Sequence, residues 1–126
     1  MTKGNIKPFN DTAIIYYSED DGCWIAHSLR TDQVGTGVDM GRALADMIRG
    51  IDGLLDLARA DETIAYQREA PAEIQERLTS SKKLPKEIYE VAHKIARGEW
   101  PQEIEPSFQA QNTDEDFSAE FSEAAA

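Results

Sequence analysis

The sequence predicts an α+β fold: a small antiparallel three-strand sheet built on a β-hairpin, covered by one long helix and followed by two short helices and a disordered tail. Three observations carry that prediction. Two β-branched and aromatic runs, Ala13-Ile14-Ile15-Tyr16-Tyr17 and Cys23-Trp24-Ile25-Ala26-His27-Ser28-Leu29, flank an Asp21-Gly22 turn. Apolar residues then recur at steps of three and four from Met40 to Ala58. A helix with so apolar a stripe cannot stand alone, and the hairpin is the surface at hand for it to cover.

Each element has a local reason. Residues 1–12 are polar and turn-prone, with Pro8, Asn10 and Asp11, so the first strand is expected from Ala13. Gly22 suits the hairpin turn because it reaches positive φ without steric cost. On the returning strand, Cys23, Ile25, His27 and Leu29 share one face, and Trp24, Ala26 and Ser28 the other. Gln33-Val34-Gly35 reads as a short third strand, and Gly35-Thr36-Gly37 as the turn into the helix. Asp39 is placed to cap that helix, since its carboxylate can accept backbone N–H groups of the first turn.

The helix stripe comprises Met40, Ala43, Leu44, Met47, Ile48, Ile51, Leu54, Leu55 and Ala58. On the opposite face Arg42 and Asp46, and Arg49 and Asp52, are spaced for ion pairs. Gly50 and Gly53 weaken the helix by about 1 kcal/mol each relative to Ala, so close packing contacts are expected at both. Pro71 opens a short helix with Ile74 and Leu78, and Ser80-Ser81-Lys82-Lys83 breaks it. Pro85 opens another, with Ile88, Val91, Ala92 and Ile95 on one side, and Gly98 ends it. Trp100 is expected to anchor this last helix to the core. The chain thus divides into a sheet-plus-helix core over residues 1–62, a helical segment over 63–100 and an acidic tail over 101–126.

Charge narrows the function classes. The 126 residues carry a net charge of −11. Residues 101–126 hold seven acids and no base. The first 100 residues hold all 13 bases and the other 17 acids, a net of −4. The acidity therefore belongs mainly to the tail, which reads as a solvating segment. Phe117 and Phe121 stand four apart within it and would share one face of a short partner-docking helix. An acidic chain is a poor general binder of nucleic acid or anionic membrane. No apolar run reaches the roughly 18 residues that span a bilayer. Met1-Thr2-Lys3-Gly4-Asn5 leads into no apolar stretch, so a cytoplasmic protein is expected.

The candidate chemistry is sparse. Cys23 is the single cysteine, so neither an internal disulfide nor a Cys-based zinc cage is available. Glu19, Asp20, Asp21, Asp32 and Asp39 are the carboxylates that a two-metal nuclease site would draw on. Asp20 and Asp21, however, have a turn to form, and Asp39 a helix to cap. Cys23 and His27 on one strand face stand about 13 Å apart, too far for a nucleophile and its base. His93 falls beside Glu90 and Arg97 on the polar side of its helix. No catalytic residue, metal or cofactor is expected.

The order of strand, Asp-Gly turn, strand, short strand and capped helix resembles the HicB-like antitoxin family. The resemblance covers about Ala13 to Arg59. It is carried by Tyr16-Tyr17, Asp20-Asp21-Gly22 followed by Trp24, Gly35-Thr36-Gly37, Asp39 at the helix start and Ala43-Leu44 within the helix. It implies an incomplete ribonuclease-H-like fold without enzymatic activity. It also implies a homo-oligomer that binds and neutralises a small basic RNA-cleaving toxin of the HicA type. An acidic protein suits that partner, because complementary charge steers association. Family members frequently carry a C-terminal DNA-binding unit, which would make the chain a transcriptional regulator. Residues 71–98 show no dense basic face, which counts against DNA binding. An accessory oligomerisation module without a toxin is the other reading. The candidate partner-binding residues are Tyr16, Trp24, Asp20, Asp21, Phe117 and Phe121. Tyr16 and Trp24 sit on adjacent strands, where one is expected in the core and the other on the partner surface.

Overall fold

The computed structural model of the chain describes residues 9–99 and 115–123. The hairpin forms where the sequence places it. Strands β1 (Phe9–Ser18) and β2 (Cys23–Ser28) pair antiparallel, with Tyr17 opposite Trp24 and Ala13 opposite Ser28. Gly22 takes a φ of 66° in the connecting turn, and its N–H donates to Ser18 O at 2.8 Å. The Ser18 hydroxyl donates to Asp21 Oδ2 at 2.8 Å, which tightens the same turn.

β3 (Val34–Gly37) adds to β2, with Trp24 opposite Gly37. Its two glycines are strand residues pressed against the helix that follows, α1 (Met40–Ala60), and β3 therefore runs further than Gly35. A Cβ at Gly35 would lie 2.2 Å from Met47 N and 2.4 Å from Ala43 O; one at Gly37 would lie 2.5 Å from Ala43 N. Only glycine lets strand and helix backbones approach this closely.

α1 starts as its sequence dictates. Asp39 Oδ1 accepts the Arg42 N–H at 2.8 Å, and its other oxygen holds the Arg42 guanidinium. The apolar stripe lies on the sheet, packing Ala43, Leu44, Met47, Ile48, Ile51 and Leu55 against Ala13, Ile15, Trp24 and Ala26. The polar face differs from expectation. Arg42 pairs with Asp39, Asp46 accepts the backbone N–H of Thr36, and Arg49 donates to the Ile95 carbonyl at 2.6 Å. The helix lies so close to β3 and its neighbouring helix that these contacts are within reach. Gly50 does meet a neighbour, Gln33 Oε1, whereas a Cβ at Gly53 would find nothing within 4 Å.

Residues 61–70 leave α1 and cross to the other face of the sheet. Arg68 N donates to Arg30 O at 2.8 Å and Ala70 N to Leu29 O at 3.0 Å. α2 (Ala72–Glu76) and the 3₁₀ turn Arg77–Ser80 follow. Ile74 and Ala70 bury Ile14 and Leu29 beneath them, with Tyr16 at the margin; Leu78 remains exposed. β4 (Lys82–Lys83) leads into α3 (Lys86–Ala96), whose Ile88, Ala92 and Ile95 join the main core beside α1. Gly98, with φ of 80°, ends it.

The α+β class is as predicted, but the sheet is not three-stranded. It is a mixed sheet of five strands in the order β3-β2-β1-β5-β4. The additional interior strand, β5 (Phe117–Glu123), lies between β1 and β4 and comes from the segment expected to be a disordered tail. It pairs antiparallel with β1, from Phe9 opposite Glu123 to Ile15 opposite Phe117. β4 pairs parallel with β5. Pairing with β5 also explains why β1 begins at Phe9 rather than Ala13. Phe117 and Phe121 both fall on β5, a strand and not a helix; a spacing of four suits both periodicities. Trp100, residues 101–114 and residues 124–126 lie outside the described residues.

Candidate partner-binding surface

The two faces of the sheet are covered unequally. One lies under α1 and α3. The other is covered over β1 by the 61–80 crossing, where the Arg77 guanidinium sits 4.1 Å above the Tyr16 ring. Arg77 also pairs with Asp116 at 3.1 Å, which ties this cover to the segment leading into β5. Burial pushes the Tyr16 hydroxyl pKa upward, and Arg77 opposes the shift. The cover does not reach β3.

The strip left open runs along β2 and β3. Gly35 and Gly37 face α1, so Val34 and Thr36 face away from it. Val34 is 51% exposed, and Val38, just after the strand, 77%. Ile25, opposite Thr36, and Cys23 are half-buried beside them. The run from Gln33 to Val38 contains no charged residue. Acids surround it. Glu19, Asp20 and Asp21 are exposed in the hairpin turn, at the end of β2 that pairs with Gly37. Asp32 precedes the other end. Asp46 lies along the flank, its Oδ2 3.0 Å from Thr36 N. The nearby Arg42 is offset by Asp39.

A buried polar network holds the Asp32 end in place. Asp11, 2% exposed, accepts the Ser28 hydroxyl at 2.5 Å, and the N–H groups of Thr12 at 2.7 Å and Arg30 at 2.9 Å. Ser28 also meets the Thr31 hydroxyl and accepts the Thr31 N–H. The buried side chains of Asp11, Ser28 and Thr31 are thereby satisfied together, as burial requires. The network pins the turn between β2 and β3, in which Asp32 takes a φ of 55° and its Oδ1 lies 2.6 Å from His27 Nε2.

The sequence-predicted partner residues separate. Trp24 is fully buried and meets Tyr17 edge-on, with ring centroids 5.6 Å apart, so it has no surface to offer a partner. This corrects its assignment to the partner site; its strand face is the one that α1 covers. Phe117 is half-buried against Trp24 and belongs to the same core. Phe121 takes its register opposite Asp11 in β5, not a place on a docking helix. Tyr16 lies on the opposite face from Trp24, under Arg77. Asp20 and Asp21 alone stand exposed beside the open strip. Val34 and Val38 were not singled out by sequence, and Asp46 only as a partner for Arg42; the uncharged run from Gln33 to Val38 was the available signal.

The acids named for a nuclease do not converge. Asp39 caps α1 and Asp32 pairs with His27. Among the described residues no three His, Cys, Asp or Glu side chains come together as metal ligands. No helix among them is long and apolar enough to cross a membrane. Comparison with family models, with curated proteins and with solved structures returned no match.

Proposed function

We propose that this chain is a non-catalytic protein-binding module of the HicB-like antitoxin type, which captures and neutralises a small basic RNA-cleaving protein of the HicA type. The observation that carries the reading is the apolar, uncharged strip of β3 framed by Glu19, Asp20, Asp21, Asp32 and Asp46. An RNA-cleaving protein needs a cationic surface to hold phosphates. An acidic protein surface with an apolar centre competes for that same surface: the acids steer the encounter and the apolar contact retains it. The order β1, β2, β3, α1, in which the hairpin and the Asp39 cap stand as the family pattern has them, supports the same reading. Co-expression with the product of the neighbouring reading frame tests it. Co-purification and rescue of growth from that product are the expected results. A neighbouring frame that encodes no small basic protein, together with no co-purifying species, overturns it.

A further inference from the structure

We infer that the open strip on β3 is the seat of the partner, and that its occupant is a cationic protein segment presenting an apolar side chain between Lys or Arg residues. The inference deepens the binding-module reading and rests on it.

The strip has the chemistry for such an occupant. Val34 and Val38 are exposed apolar side chains next to half-buried Ile25. They supply contact area for an apolar residue but no direction. The direction comes from charge. Acids stand at both ends and along one flank, and Arg42 is held by the buried Asp39 carboxylate. A cation approaching the hairpin-turn end therefore meets the exposed carboxylates of Glu19, Asp20 and Asp21, while Asp32 at the other end is shared with His27. A second copy of this chain would bring the same acids against them, so like charge disfavours self-pairing through this strip.

The backbone agrees. Gln33 O accepts from Ser28 N, so Gln33, Gly35 and Gly37 turn their polar groups to β2, while those of Val34 and Thr36 point to the sheet edge. At that edge Thr36 N–H is already taken by Asp46. A strand bringing only backbone groups finds its central donor occupied. A segment bringing a Lys or Arg finds a carboxylate there to pair with.

The test uses the full chain and the purified product of the neighbouring reading frame as the probe. Binding is measured by calorimetry or interferometry at two salt concentrations. Val34→Ser with Val38→Ser should weaken binding about tenfold or more. Asp20→Asn with Asp21→Asn should slow association and flatten its salt dependence. Leu57→Ser, at an exposed apolar residue on α1 away from the strip, should stay within about twofold of wild type. Circular dichroism and melting temperature check that each variant is folded. If the valine pair binds like wild type, or no more weakly than Leu57→Ser, the placement on β3 is overturned while the binding-module reading stands. If wild type does not bind the probe, the reading and the placement fall together.

Discussion

Asp46, on the first turns of α1, accepts the backbone N–H of Thr36 at the free edge of β3, across 3.0 Å. A helix side chain thus occupies a donor that a further strand would use. Edge strands invite pairing with other chains, and a carboxylate on the edge discourages it. Asp46→Ala should cost little stability, about 1 kcal/mol or less, because the freed N–H turns to water. The expected gain is concentration-dependent self-association. Sedimentation of wild type and variant over a range of concentrations checks this, and identical profiles would show that Asp46 does not guard the edge.

The glycines of β3 and α1 should behave in opposite ways. Gly35→Ala places a methyl group against the Met47 and Ala43 backbones, where no side chain can yield. The strand and helix must separate, at a cost of about 3 kcal/mol or more. Gly53→Ala meets nothing within 4 Å and removes a weak point from a long helix. It should stabilise the fold by about 0.5–1 kcal/mol. Urea titration of the two variants gives both signs.

β5 makes a further test possible. It is the strand between β1 and β4, and it contributes Ala119 and Phe117 to the main core. A chain ended after Thr113 should lose its cooperative unfolding transition, not merely a solvating tail. Retention of a sharp melt by the shortened chain would show that β1, β2, β3 and α1 suffice.

The local elements were legible in the sequence, and the long-range ones were not. The hairpin, the Asp39 cap and the α1 stripe each arise from residues a few positions apart. β5 was hidden by its setting. Phe117-Ser118-Ala119-Glu120-Phe121-Ser122 alternates apolar and polar residues strictly, a strand signal. The surrounding acids drew the reading toward a solvated tail. β4 has two exposed lysines and no pattern; its existence depends on β5. Trp24 illustrates a different limit. Period two separates it from Ile25, but both faces of β2 mix large and small residues. Which face is buried is decided by where α1 lands.

Stability should also depend on pH through His93. Its ring packs on Tyr89, with centroids 4.4 Å apart, and its Nε2 is buried with no hydrogen-bond partner among the described residues. Burial pushes its pKa below the ordinary value, Arg97 adds to this, and Asp52 opposes it. The unfolded chain therefore takes up the proton first. The stability that neutral His93 preserves is complete above about pH 7.5 and is lost as pH falls through about 6.5 towards the lower folded value. Burial raises the Asp52 pKa, with Asp56 adding, so its own contribution has the opposite sign and sets in at lower pH. His93→Gln should flatten the melting temperature between about pH 7.5 and 5.5. Parallel curves for the two proteins would remove His93 as the cause.

The pairing of Phe9 with Glu123 has a consequence for synthesis. β1 leaves the ribosome long before its neighbour β5 exists. In that interval the hairpin, β3 and α1 have only their local contacts to make, while the far side of β1 stays open. Closing it requires the most distant contacts in the chain, which are the slowest to form. A nascent chain therefore carries every residue of the β3 strip while the β1 flank is still unpaired. Pausing or proteolysis during translation would act on that half-closed form.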